Sequence, residues 1–114
     1  MVEPPVWTGR NLGNGPLRIY PSEVRIDAAT ALTIAARGGK ADTAKPFKGV
    51  DGGVFEIALK YRGNAYRVIY AVQIGVDTWV IDAFQKKSKT GIKTPQVDVD
   101  RIRERVKRLK EALR

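Results

Sequence analysis

The segment VFEIALKYRGNAYRVIYAVQIGVDTWVIDAF, Val54 to Phe84, decides the fold. It contains three runs rich in β-branched and aromatic residues, at about Val54–Tyr61, Ala65–Ile74 and Thr78–Phe84, and such residues suit a pleated, half-buried surface. Arg62-Gly63-Asn64 and Gly75-Val76-Asp77 join the runs, and connections this short reverse the chain. A three-stranded antiparallel meander is therefore expected. Because side chains alternate along a strand, one face collects Phe55, Ile57, Leu59, Val68, Tyr70, Val72, Trp79, Ile81 and Ala83. The other collects Glu56, Ala58, Lys60, Arg67, Ile69, Ala71, Asp82, Phe84 and Lys86. In that register Glu56, Arg67 and Asp82 come within hydrogen-bonding reach of one another. A cross-strand salt bridge with no chemical role would satisfy the same pattern.

Working outward, two helices flank this sheet. The first is predicted over Pro21–Arg37, with proline at its first position, Glu23 in its first turn and Gly38-Gly39 just past its end. Val24, Ala28, Ala31, Leu32 and Ala35 recur at three and four residues, so one stripe packs on the sheet, and its alanines allow close approach. The second follows Thr94-Pro95, read as an N-cap and first helical position, and runs to the C-terminus. Its stripe is Val99, Ile102, Val106, Leu109 and Leu113, while Arg101, Arg103, Arg105, Lys107 and Arg108 form a basic outer face with Glu104 and Glu111. Pro4–Thr8 reads as a short extended stretch with Trp7 in the core, and Gly9–Pro16 and Lys40–Gly53 as loops.

Composition narrows the function. The chain has 114 residues, enough for one domain with its own core. It holds no cysteine and no histidine, which excludes disulfides, thiol chemistry, Cys/His zinc sites and imidazole catalysis. No apolar run reaches the roughly 20 residues of a membrane span. Glu3, Pro4 and Pro5 stand where a signal peptide would have a basic start and an apolar stretch, so a cytoplasmic protein without a membrane partner is expected. Twenty-one basic against twelve acidic residues give a net charge of +9, which favours nucleic acid or an acidic protein as partner.

That charge is densest in FQKKSKTGIKTP, Phe84–Pro95, where Lys86, Lys87, Lys89 and Lys93 occur without an acid. Each lysine can neutralise one phosphate. A second basic patch, Lys40, Lys45 and Lys48, lies in the loop before the sheet, and Lys60 ends the first strand. On the second sheet face stand the groups that metal-free RNA cleavage requires: positive charge for the developing phosphorane, a proton acceptor and a proton donor. Arg67 is the candidate charge stabiliser, Glu56 or Asp82 the acceptor, and Lys86 or Tyr66 the donor; a lysine crowded by other cations can also act as base.

Several stretches in order resemble the phage-related branch of the RelE/HigB toxins of bacterial toxin–antitoxin pairs. They are VWTG at Val6–Gly9, YPSEVR at Tyr20–Arg25, RGGKADTAKPFKG at Arg37–Gly49, VFEI at Val54–Ile57, YRVIYAV at Tyr66–Val72, and FQKKSKTGIKTP before the basic helix. The resemblance implies an α+β fold spanning residues 1–114, a small twisted, mainly antiparallel sheet packed against an N-terminal and a C-terminal helix. It implies an endoribonuclease that cuts messenger RNA on the ribosome without cofactor or metal. It also implies a cognate antitoxin, a small helix-turn-helix protein, as partner. By position, Arg67 would hold the scissile phosphate, and Lys86 and Lys87 would transfer protons and grip the backbone. From their charge, Lys45, Lys48, Lys60, Lys89 and Lys93 are candidates for further RNA contacts beside Lys87. Two positions depart from the pattern: Asp82 replaces a histidine common in relatives, and Ala58 an arginine. Two alternatives stay open, a ParE-like toxin directed at gyrase and a degenerate toxin that retains only antitoxin binding.

Overall fold

Helix α1, Ser22–Ala36, forms where an alanine-rich run follows a proline, and it stops at a glycine pair. Gly38 takes φ +89, and its N–H and that of Gly39 donate to the carbonyls of Ala35 and Ile34 at 3.0 and 2.9 Å. This is a Schellman closure, in which a left-handed glycine lets the last carbonyls find donors. The computed structural model describes residues 15–50, 52–75, 77–86 and 94–113, the side chains of Pro16 and Lys86 apart. The extended stretch and buried Trp7 expected before Gly9 fall outside the described residues.

Four antiparallel strands make one sheet in the order β1-β2-β3-β4: β1 Ala44–Pro46, β2 Val54–Tyr61, β3 Asn64–Ile74 and β4 Asp77–Lys86. The meander is present, and β1, expected as loop, adds a strand to its edge. Its three residues carry little apolar pattern, and Ala44, its buried residue, pairs with Ile57. A short 3₁₀ turn, Pro16–Ile19, precedes α1 and buries Leu17. Helix α2, Gln96–Ala112, closes the fold. The architecture is the expected α+β one.

Both helices begin one residue later than their prolines suggest. Pro21 and Pro95 occupy the N-cap position with extended backbone, ψ 147 and ψ 146, and neither helix has a side-chain cap. The Thr94 hydroxyl is turned to Glu56 instead of capping α2.

Each sheet face packs on one helix. Val24, Ala28, Ala31, Leu32 and Ala35 of α1 cover Ile57, Leu59, Tyr66, Val68, Tyr70 and Val80. Val99, Ile102, Val106 and Leu109 of α2 cover Val54, Ile69, Ala71, Ile74 and Ile81. Leu113, expected in that stripe, lies past the helix end and is exposed. The face holding Glu56, Arg67 and Asp82 is thus roofed by α2 over the Val54–Ile81 part. Burying a Leu- or Ile-sized side chain contributes about 1.5–3 kcal/mol, so this helix is a structural part of the sheet.

One register shift corrects the assignment of faces on β4. Ile69 pairs with Asp82 while Tyr70 pairs with Val80, so Ile81 is an extra residue, a β-bulge. Val80 and Ala83 therefore face α1, whereas Trp79 and Ile81 join Asp82 and Phe84 on the α2 face. Strict alternation misplaces Trp79 and Ile81 because it cannot foresee the inserted residue. The bulge is also held chemically, since Arg105 Nη1 donates to the Ile81 carbonyl at 3.0 Å.

Candidate functional site

On the α2 face, Glu56 lies opposite Ile69, and Arg67 lies opposite Ala58 and Phe84, which makes Glu56 and Arg67 diagonal neighbours. Arg67 Nε is 3.7 Å from Glu56 Oε2, and Lys45 Nζ, the register partner on β1, is 3.7 Å from Oε1. The Thr94 hydroxyl donates to Oε2 at 3.4 Å. These are long contacts, ion pairs more than hydrogen bonds. Glu56 and Arg67 side chains are 8% and 15% exposed, against 62% for Lys45.

Among the described residues, Arg67 Nε is a buried side-chain nitrogen with no hydrogen-bond partner. An unsatisfied buried donor costs about 1–3 kcal/mol, and nearly all such groups in folded proteins are paired. A planar guanidinium with an unused donor matches the oxygens of a phosphate, which it can grip with two parallel bonds. The Glu56 charge offsets that of Arg67 without consuming this donor.

Asp82 was expected within reach of both. Instead Ile69 separates it from Glu56 in the same cross-strand row, and α2 takes its oxygens. Arg101 donates to Oδ2 through Nε at 2.9 Å and Nη2 at 2.7 Å. Arg105 Nη1 and the Ala83 N–H donate to Oδ1 at 3.0 and 2.9 Å. Burial acts to lower the Arg101 pKa, but its hydrogen bonds to Asp82 and Asp98 outweigh this, so the pKa is raised and the charge is held firmly. Arg103, although exposed, reaches across the surface, its Nη2 donating to the Gly49 carbonyl at 2.7 Å and tying the loop after β1 to α2. The expected outer basic face thus gives up Arg101, Arg103 and Arg105 to fastening α2.

Tyr66 sits on the α1 face, buried, with its ring edge-on to Tyr20 at 4.9 Å. It is across the sheet from Arg67, so the structure does not bring the two together. Lys60 is exposed on the α2 face beside Ala65, the residue that also pairs with the Lys86 backbone. Lys48 is exposed in the loop after β1. Lys87, Lys89 and Lys93 lie outside the described residues.

Four residues near these groups went unremarked in the sequence as partners: Thr94, Arg101, Arg105 and Tyr20. A signal for the arginines exists, since an aspartate predicted among Ile69, Ala71 and Phe84 needs cationic partners, and Arg101 and Arg105 share one side of a helix. Tyr20 supports the site from behind, its hydroxyl donating to the Arg67 carbonyl at 3.4 Å. Burial first, then the Asp82 charge and Tyr66, push its pKa well above the usual tyrosine value. On the far surface, hydrogen bonds from Tyr61 and Ser22 hold the Glu23 carboxyl below its usual range.

Among the described residues, no three acidic side chains converge as metal ligands, and no helix is long and apolar enough to cross a membrane. A family model described as "Phage derived protein Gp49-like (DUF891)" matches residues 16–107. No curated protein and no solved structure matches the chain.

Proposed function

The chain belongs to the Gp49-like family of phage-derived proteins, and from that premise we propose that it is the toxin of a toxin–antitoxin pair, similar to RelE and HigB, that cleaves translated messenger RNA. The observation that carries the reading is the buried Arg67 Nε, which among the described residues has an ion-pair partner in Glu56 but no hydrogen bond, on a small antiparallel sheet. The +9 charge supports a polyanionic substrate.

In this reading the message lies across the Lys45–Arg67–Lys60 side of the sheet. Arg67 grips the scissile phosphate, and the 2′-oxygen of the preceding ribose attacks phosphorus. The bond to the 5′-oxygen breaks, leaving a 2′,3′-cyclic phosphate and a 5′-hydroxyl. Glu56 takes the 2′ proton. It is favoured over Asp82, whose four hydrogen bonds leave it little capacity as a base. Lys86, at the end of β4, is favoured over Tyr66 as donor to the leaving oxygen, because Tyr66 faces the opposite helix. Arg67 stabilises the charge that grows on the phosphorane, a contribution realised only in the transition state.

The test is to add the protein to a coupled translation reaction and map message ends, with gyrase supercoiling assayed separately. New 5′-hydroxyl ends within translated messages are expected. Inhibition of supercoiling with intact messages would replace this reading by the gyrase-directed one, and antitoxin binding without growth arrest would indicate a toxin that has lost its activity. The expected antitoxin, a small helix-turn-helix protein encoded beside this chain, should suppress the arrest.

A further inference from the structure

Helix α1 is apolar or uncharged almost all round, although the sheet covers only one side of it. Val24, Ala28, Ala31, Leu32 and Ala35 are buried, yet no charged residue occurs from Ala28 to Ala36 on the other side either. Ile26 is 64% and Ile34 37% exposed there. A helix of this composition is ordinarily covered on both sides.

The exposed side carries a pattern that specifies its own partner. Glu23, Ile26, Thr30, Ile34 and Arg37 follow one another at three, four, four and three residues, a palindrome centred on Thr30. At about 100° per residue these five fall within roughly one quarter of the helix circumference. When two such helices lie antiparallel about a two-fold axis at Thr30, Ile26 meets Ile34 of the other copy, and the Glu23 carboxylate, which also accepts from Tyr61 and Ser22 of its own chain, meets Arg37. Both contacts occur twice, as an isologous interface requires. Ala29 and Thr33 beside the axis are small enough for close helix approach.

The self-complementary order of these five residues selects a second copy as occupant. The chain carries +9 in total, so two copies repel over most of their surfaces. Helix α1 holds two acids and one base, Glu23 and Asp27 against Arg25, and is where that repulsion is least. We infer that α1 is a self-association surface through which two copies of this chain pair antiparallel about Thr30. The pairing does not depend on the proposed nuclease activity, because α1 and the Glu56–Arg67 group lie on opposite sheet faces. One helix strip covers less than the roughly 800 Å² per partner of a standard interface, so the dimer is weak and concentration-dependent.

The absence of cysteine makes the register directly testable. Thr30→Cys places one thiol on the axis, and under mild oxidation it should form a disulfide-linked dimer at least about tenfold faster than Lys107→Cys on the outer side of α2, the scale of a pre-aligned over a collisional encounter. Adding Glu23→Arg to the Thr30→Cys chain should slow linking about tenfold, since two attractive contacts become repulsive. Adding Arg37→Glu as well should restore it. Circular dichroism establishes that each variant keeps its helices. Equal linking by the two single cysteines, or a charge reversal that fails to restore linking in a folded protein, would overturn the proposal.

Discussion

Glu56 and Asp82 stand in one cross-strand row with Ile69 between them, and each is 6% exposed, yet their surroundings differ in kind. Asp82 receives four hydrogen bonds of 2.7 to 3.0 Å from two arginines and a backbone N–H. Among the described residues, Glu56 has ion-pair partners at 3.7 Å and one hydroxyl at 3.4 Å, and its arginine keeps a buried donor without a hydrogen bond. Equal burial therefore does not mean equal purpose. A saturated carboxylate fixes a helix to a sheet, whereas an under-satisfied pair is held in readiness for a group that completes it.

The contrast can be broken at several points. Asp82→Ala should cost most, about 2–3 kcal/mol in denaturant unfolding, after allowing for solvent at the 37%-exposed Arg101. A loss below about 0.5 kcal/mol would mean that the four bonds fasten little. Glu56→Gln should cost about 1 kcal/mol of stability, because its ion pairs are long, while lowering message cleavage about tenfold or more. A larger stability loss with unchanged cleavage would make Glu56 a second Asp82. Replacing Lys45 and Lys60 by alanine should leave stability within about 0.5 kcal/mol and reduce the salt dependence of RNA binding by up to about one unit of slope each. An unchanged slope would place the RNA elsewhere. The smallest effect concerns Tyr20, whose raised pKa keeps its proton in the native state. Its stabilising contribution is full below pH about 10, where free tyrosine ionises, and declines as pH rises further, because only the unfolded chain loses the proton. Tyr20→Phe should make the alkaline loss of stability shallower, and an identical slope would remove Tyr20 as a buttress of Arg67.

Particular residues show how far the sequence could be read. The buried stripe of α1 and most of that of α2 follow from helical spacing, and the β2–β3 pairing follows from the short turn at Arg62-Gly63. Glu56 and Arg67 share a face because strand alternation holds on both strands. The prediction fails where a local irregularity intervenes. The bulge at Ile81 reverses parity and moves Trp79 and Ile81 to the α2 face. β1 has too few residues to show a period. Which of two buried carboxylates would be saturated depended on the docking of α2, a tertiary contact that places Arg101 and Arg105 beside Asp82. Neither strand pattern nor charge count encodes that choice.

The central claim, that Arg67 is kept under-satisfied for a phosphate, is tested most directly by measuring thermal stability and message cleavage together for Arg67→Ala and Asp82→Ala. The account predicts that Arg67→Ala loses less melting temperature than Asp82→Ala, since it removes one long ion pair together with a donor that lacks a hydrogen bond, while cutting at least about tenfold more slowly. An Arg67→Ala protein that is strongly destabilised, or that is folded and cuts translated RNA at the parental rate, would contradict it.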